Sequence, residues 1–293
     1  MIKRDKLVPY LYLLPALVFL LLVYIPIFQN IGDSLYNWST FSPDKAFVGL
    51  DNYFTLLKDP VFYEALKNNI LYAVISIIFQ VFGGLIVAAI LEDKLIRKFS
   101  PIFRTVYFLP VVVSMTVIAL LFSFFYNPEV GLLNQFLEMI GLNNLAKPWL
   151  GDSETAIYAV IAVSQWQSIG YIAMLYIVSI QKISPELYEA AEMDGANKIK
   201  TFFHITVPAT KEMTFVAVIL TLTGAFTVFN EPYILTGGGP GTSSEVLSTY
   251  LYKTAFSKDM MGYASAIATV ILIITLLISL VQMKIFKTGK EDS

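Results

Sequence analysis

The sequence has no cysteine and a single histidine, His204. Disulfides and thiol chemistry are therefore excluded, and a histidine-based metal site is disfavoured. Charge is scarce as well. Only 14% of the 293 residues are Asp, Glu, Lys or Arg, against about 25% in an ordinary soluble domain. The net charge of −2 offers no basic surface for a nucleic acid. No Gly-Lys-Ser/Thr sequence occurs, so there is no phosphate-binding loop. The consecutive Gly237, Gly238 and Gly239 run into Pro240, which has no backbone donor, and read as a flexible outer turn. Apolar residues, by contrast, make up 56% of the chain, and the mean hydropathy is +0.67. Lipid is the solvent that suits such a composition.

A helix needs roughly 20 apolar residues to cross a bilayer. Six segments qualify: 8–28, 70–91, 105–125, 156–180, 213–235 and 262–285. The expected fold is all-α and polytopic, with six transmembrane helices in one membrane domain covering 1–293. Glu231, just before Pro232, is the only acidic residue within these spans. The first span begins with Lys3, Arg4 and Lys6, as a secretory signal does. Its apolar run is too long for one, and no small-residue cleavage site follows, so it reads as a retained helix. The tails, with Lys284 at the end of the last span, and the 92–104 and 181–212 loops carry 14 Lys and Arg, and the 31–69, 126–155 and 236–261 loops carry six. The positive-inside rule then puts both termini in the cytoplasm. Trp38, Trp149 and Tyr126 fall near outer span ends, where interfacial anchoring is the default.

The 181–212 loop is too polar to span and too patterned to be slack. Ser184 and Pro185 read as a hydroxyl N-cap and a first-turn proline. Glu186 and Glu189 follow in the turns where the helix dipole favours acid. Ala190 and Ala191 are small enough to let another surface approach. Gly195 is a C-terminal stop. A second short helix is expected from Lys198 to about Thr206, before Pro208. On residue chemistry alone, this helix–turn–helix serves equally as a connection between spans or as a docking element.

Here the residues resemble a family. Glu189-Ala190-Ala191, Asp194-Gly195-Ala196, Phe203, Ile205 and Pro208 are similar to the EAA loop of ABC importer permeases. Ile183-Ser184-Pro185-Glu186-Leu187-Tyr188 fits the sugar branch, as do Val48-Gly49-Leu50-Asp51-Asn52-Tyr53 and Thr236-Gly237-Gly238-Gly239-Pro240. So do Tyr250, Ala255-Phe256 and Gly262-Tyr263-Ala264-Ser265-Ala266. Val207 stands where leucine is usual, and a second proline often found after Pro208 is absent. The chain is thereby identified as a member of the MalF-like carbohydrate branch. The resemblance implies a type I permease fold and a multi-pass subunit of the cell membrane forming half of a sugar-translocating pore. It also implies a second, MalG-like permease, two cytoplasmic ATPase subunits and an extracytoplasmic sugar-binding protein. In that family the two short helices fit a cleft on the ATPase. ATP and Mg then belong to the ATPase, and this chain carries no cofactor, no metal and no catalytic residue.

The rival class is an ion-coupled secondary transporter of a small neutral solute. Such proteins place ionisable groups inside the membrane, and this chain offers only Glu231. Neutral sugars are held by hydrogen-bonding side chains and aromatic faces. Gln165, Ser168 and Tyr171 in the fourth span, with Thr223, Thr227, Asn230 and Glu231 in the fifth, are the candidate path. Helical register puts Ser168 and Tyr171 on one face, and Thr223, Thr227 and Asn230 on another. Each taken singly also reads as glue between helices. In the resemblance, Ser168 and Tyr171 fall on substrate-contacting positions. His204 reads as a surface residue of the loop.

Overall fold

The computed structural model describes residues 8–291; Lys3, Arg4 and Lys6 lie outside the described residues. Apolar sequence becomes helix almost throughout, as it must where lipid offers no partner to a bare peptide group. The chain forms two compact units.

The first unit comprises residues up to Asp59 together with Leu251–Ile273. It begins with α1 (Val8–Asp33) and continues through β1 (Tyr36–Ser39), β2 (Ser42–Phe47) and α2 (Asp51–Leu56). The two strands pair antiparallel, with Tyr36 opposite Phe47. Hydropathy did not foretell this hairpin. Its turn is pinned from far along the chain: the Thr40 N–H donates to Asp259 Oδ1 at 2.9 Å. That backbone donor holds the Asp259 carboxyl below its usual range. Tyr263 donates to Asp59 Oδ2 at 2.6 Å and closes the unit.

The second unit comprises Pro60–Tyr250 and the chain from Ile274 onward. Its first membrane helix, Pro60–Glu92, is 33 residues long. It consists of α3 (Pro60–Ser76), a π-helical turn (Ile77–Phe82) and α4 (Gly83–Glu92). There follow α5 (Ser100–Val112), α6 (Met115–Phe125), α7 (Leu132–Met139) and α8 (Ala156–Ile180). The 181–212 segment forms α9 (Pro185–Met193), α10 (Lys198–Thr201), a π turn (Phe202–Thr206) and α11 (Val207–Ala209). Then come α12 (Lys211–Thr227) and α13 (Asn230–Leu235). The last two helices, α14 (Leu247–Tyr252) and α15 (Met261–Glu291), contribute to both units.

Five helices among the described residues are long and apolar enough to cross a membrane by themselves. The sixth expected span, 105–125, is two helices: α5 and α6 meet at a 98° bend. Pro110 lies in the last turn of α5, and Val113 and Ser114 leave the helical region with ψ near 135°. A missing donor near a helix end favours such a break.

α8 is the hub. Ile172, Tyr176, Ile177 and Ile180 pack with Val81, Leu85, Ala88 and Leu91 of the first membrane helix and Ala217 of α12. At its other half, Ala159 and Val163 pack with Ile118 and Tyr126. Two glycines set the distances. A Cβ on Gly84 would stand 3.0 Å from Ile172 Cγ2 and 3.3 Å from the Ala173 nitrogen. A Cβ on Gly170 would fall onto the Tyr107 carbonyl oxygen, so α5 and α8 cross backbone to backbone. Small residues permit this approach between membrane helices.

Two expectations are corrected. Tyr126 is buried and donates to the Ala159 carbonyl at 3.2 Å, and Trp149 Nε1 donates to Asn134 Oδ1 at 2.7 Å. Both serve packing inside the chain instead of the lipid boundary. The glycine run is ordered too. Gly237, Gly238 and Gly241 adopt positive φ, Ser244 Oγ donates to the Gly239 carbonyl at 2.6 Å, and a Cβ on Gly238 would meet the Glu245 carboxylate. Asn68 Nδ2 donates to the Ser243 and Glu245 carbonyls, and Asn69 Oδ1 accepts from the Leu247 N–H.

Candidate functional site

The 181–212 loop folds as its punctuation predicts, with one substitution of means. α9 starts at Pro185, yet the Ser184 hydroxyl forms no cap. The proline, with its preset φ and absent donor, begins the helix without it. The side-chain cap lies on the second helix: Asn197 Oδ1 accepts from the Lys200 N–H at 2.9 Å. Between the two, Gly195 takes φ +76°. The Gly195 N–H donates to the Glu192 carbonyl at 3.1 Å and the Ala196 N–H to the Ala191 carbonyl at 2.9 Å. These are the two bonds of a Schellman ending. They explain why a glycine must sit between Asp194 and Ala196.

α9 and α10 bury none of their residues within this chain. Leu187, Met193, Ile199 and Phe203 are exposed to between 53% and 87%, and Glu189, Ala190 and Pro208 are exposed too. Apolar exposure on this scale, in a polar loop beyond a span, marks a contact surface. The other side of the segment is fixed. Phe202 and Val207 pack on the α4–α8–α12 core, and the Tyr188 and Thr206 hydroxyls are 3.1 Å apart. His204 is exposed, with Nδ1 2.9 Å from the Lys200 carbonyl oxygen.

The polar path is less coherent. Gln165 is buried and donates to Ser76 Oγ at 3.1 Å and to the Ile161 carbonyl at 3.0 Å. Such bonds between neighbouring elements are those of helix glue. Ser168 and Tyr171 share a face as expected, Ser168 half-buried and Tyr171 42% exposed. The register assumed for Thr223, Thr227 and Asn230 is broken. Helix α12 ends at Thr227, Val228 is extended and α13 starts at Asn230, so Asn230 does not continue the Thr223–Thr227 face. Thr227 Oγ1 donates to the Thr223 carbonyl at 2.9 Å, which uses its hydroxyl within its own helix. Glu231 lies half-buried at the start of α13, facing Ser164.

Two residues beside this path had no signal strong enough to single them out. Tyr72 is buried with its hydroxyl near Ser164 and Glu231. Ser76 receives Gln165. Tyr72 and Ser76 are four residues apart in an apolar run, and that spacing was the available clue.

Against this geometry, the family model described as "Binding-protein-dependent transport system inner membrane component" matches residues 80–287. The chain is 74% identical over 292 residues to the probable ABC transporter permease protein YurN of Bacillus subtilis (strain 168), covering 100% of both chains. It is 33% identical to the arabinooligosaccharides transport system permease protein AraP of the same organism, covering 98% of this chain and 91% of that one. Its fold is similar to a chain in the crystal structure of a bacterial alginate ABC transporter in complex with an alginate pentasaccharide-bound periplasmic protein. The TM-score is 0.83 and the identity 26%, over 96% of this chain and 94% of the other.

Proposed function

Because this chain belongs to the family of binding-protein-dependent transport system inner membrane components, it is a permease subunit of an ABC importer of sugars or oligosaccharides, and we propose that it forms half of the pore and docks a cytoplasmic ATPase through the 181–212 loop. ATP hydrolysis belongs to the separate ATPase, so the permease needs no cofactor. Ion-coupled secondary transport is set aside with the family assignment. The importer works with an extracytoplasmic binding protein, as the alginate transporter does. The remaining partners are a second homologous permease and two ATPase subunits, the whole of this chain acting as one permease domain.

The observation that carries the docking is the loop itself. Two short helices are held at a fixed angle by the Schellman ending at Gly195 and anchored on one side by Phe202 and Val207. On the other side they leave Ala190, Leu187, Met193, Ile199 and Phe203 uncovered. Glu189 adds charge in the middle of α9. Asp194, Gly195 and Ala196 form the turn, and Pro208 opens the return to the membrane. Sugar passes along the exposed side of α8, with Ser168 supplying a hydroxyl and Tyr171 an aromatic face. Glu231 and Asn230 lie at the outer end, and Thr223 lines the approach. Gln165, whose Nε2 donates to Ser76 and Ile161, holds helices together beside them.

Reconstitution tests this reading. Oligosaccharide uptake into vesicles is expected only when the second permease, ATPase and binding protein are all present; uptake by the purified chain alone would falsify it. In the same assay, Tyr171→Ala should lower uptake several-fold while assembly and basal hydrolysis persist. Wild-type uptake in that variant removes Tyr171 from the path.

Orientation follows from the 14-to-six asymmetry of Lys and Arg. Both termini and the docking loop are cytoplasmic. Reporter fusions at Lys94 and Lys198 should read cytoplasmic, and fusions near Asp51, Asp152 and Ser243 external. An external reading at Lys198 contradicts the docking role as well.

A further inference from the structure

The corner between α4 and α5 carries two consecutive carboxylates, Glu92 and Asp93, that reach across to the start and the middle of the docking loop. Glu92 has only 10% of its side chain exposed and pairs with Arg104 of α5. Arg104 Nε also donates to Ser100 Oγ at 2.9 Å, and Ser100 is buried. On its other side Glu92 accepts from Gln181 Nε2 at 3.3 Å. Gln181 is the residue that ends α8 and opens the loop. Asp93 repeats the arrangement further out. Its Oδ1 accepts the Leu95 N–H at 2.9 Å, which builds the turn. Its two oxygens accept from Lys198 Nζ at 2.8 and 2.7 Å. Lys198 is the first residue of α10. Lys94 adds a looser pair with Glu192 near the end of α9, at 3.6 Å and mostly in solvent.

We propose that Asp93, gripping Lys198, is a positioning residue that transmits movement of the docking loop to α5 and onward to the α5–α6 bend. The inference rests on the docking role of the 181–212 loop. An ion pair with one partner mostly in solvent contributes little to stability. Its value is geometric. Phe202 and Val207 tie the far end of the loop to the α4–α8–α12 core. Asp93–Lys198 is the hydrogen-bonded link that runs from α10 to the corner preceding α5. The Asp93 carboxylate also makes its own turn with Leu95, so a pull on Lys198 acts on the backbone of the corner and not on a loose side chain. Glu92 with Arg104 then joins that corner to the first turns of α5. α5 in turn rests on α8 at a backbone crossing, Gly170 against Tyr107. The Lys198 hydrogen bond keeps the Asp93 carboxyl below its usual range. A depressed value means the link is intact near neutral pH and is lost only as pH falls through it.

The absence of cysteine supplies the assay. Ser114→Cys puts a unique thiol at the α5–α6 bend, and its labelling rate by N-ethylmaleimide is measured in the full reconstituted complex with and without ATP. With Asp93 intact, ATP should change that rate. In Asp93→Lys the ATP-dependent change should shrink about fivefold, a factor within reach of a surface ion pair, while the ATPase still co-purifies. The exchanged pair Asp93→Lys with Lys198→Asp should restore it. Asp93→Asn, which keeps the acceptor for Leu95 but not the charge, should give an intermediate loss. A full ATP response in Asp93→Lys or Asp93→Asn overturns the proposal, and so does failure of the exchanged pair to recover with the ATPase bound. Failure of the docking role reads out differently: Gly195→Val and Glu189→Lys would then co-purify with the ATPase normally.

Discussion

Gly195→Val is expected to leave the permease inserted in the membrane and to abolish its productive contact with the ATPase. Gly195 sits at φ +76°, with nothing within 4 Å of where a Cβ would stand. The penalty is therefore backbone strain and not collision. A non-glycine residue in the left-handed region costs of order 1 kcal/mol, and a β-branched one more. The strain is relieved by giving up the two Schellman bonds from Gly195 and Ala196 to Glu192 and Ala191. The angle between α9 and α10 is then no longer set. Neither helix buries a residue in its own chain, which leaves only side-chain contacts, Lys94–Glu192, Asp93–Lys198 and Tyr188–Thr206, to hold them. Association should weaken at least about tenfold, the change produced by about 1.4 kcal/mol. Hydrolysis stimulated by the loaded binding protein should fall with it. Glu189→Lys should act on the same contact by charge reversal while leaving the turn intact. Pull-down of the ATPase together with stimulated hydrolysis in vesicles measures both effects. Normal values in both variants would reduce the loop to a connection between helices.

Gly170→Leu should do the opposite: spoil the membrane core and leave the loop chemistry untouched. The atoms that a Cβ at residue 170 would meet are the Tyr107 carbonyl group and, at 3.3 Å, the Phe108 nitrogen. All are backbone, so no rotamer change makes room. Overpacking of a core costs about 1–3 kcal/mol when side chains can yield, and more when they cannot. Even Gly170→Ala must push α5 off α8. The expected result is a drop in the steady-state amount of inserted permease and a lower melting temperature in detergent, with Leu worse than Ala. Gly224→Ala is the control, because nothing lies within 4 Å of its Cβ position. If Gly170→Leu melts like the control, the close crossing is not a feature of the folded chain.

The contrast between these two glycines shows what was legible. Gly195 could be read because it interrupts a polar, patterned loop beside Ser184, Pro185 and Asp194, where local chemistry decides the backbone. Gly170 lies inside a membrane span with no turn signal around it, and its role depends on a helix some 60 residues earlier in the sequence (Tyr107). The spans were legible for the same local reason: 20 apolar residues are a statement about solvent, and α8 begins and ends where the hydropathy does. Straightness is not such a statement. The breaks at Val113 and Ser114 and at Val228 and Phe229 occur in apolar sequence, and the second one undid the shared face assumed for Thr223, Thr227 and Asn230. The order of the glycine-rich segment was hidden too, since it comes from Asn68 and Asn69, more than 150 residues away. The Asp93–Lys198 link spans 105 positions; both residues read as ordinary loop charges until the fold joined them.

The bend between α5 and α6 has a bearing on how the chain is made. The two helices contain 13 and 11 residues, or about 20 and 16 Å at 1.5 Å per residue, and neither can cross a hydrocarbon layer about 30 Å thick. A bent backbone at that depth exposes peptide groups that lipid cannot satisfy. Val113 and Met115, at the bend, are covered by packing against the Ile118, Tyr126, Ala159 and Val163 cluster. Two members of that cluster belong to α8, which leaves the ribosome later. The cover of the corner is thus supplied by a helix that follows it in the sequence, and residues 100–125 lack that cover until α8 is made.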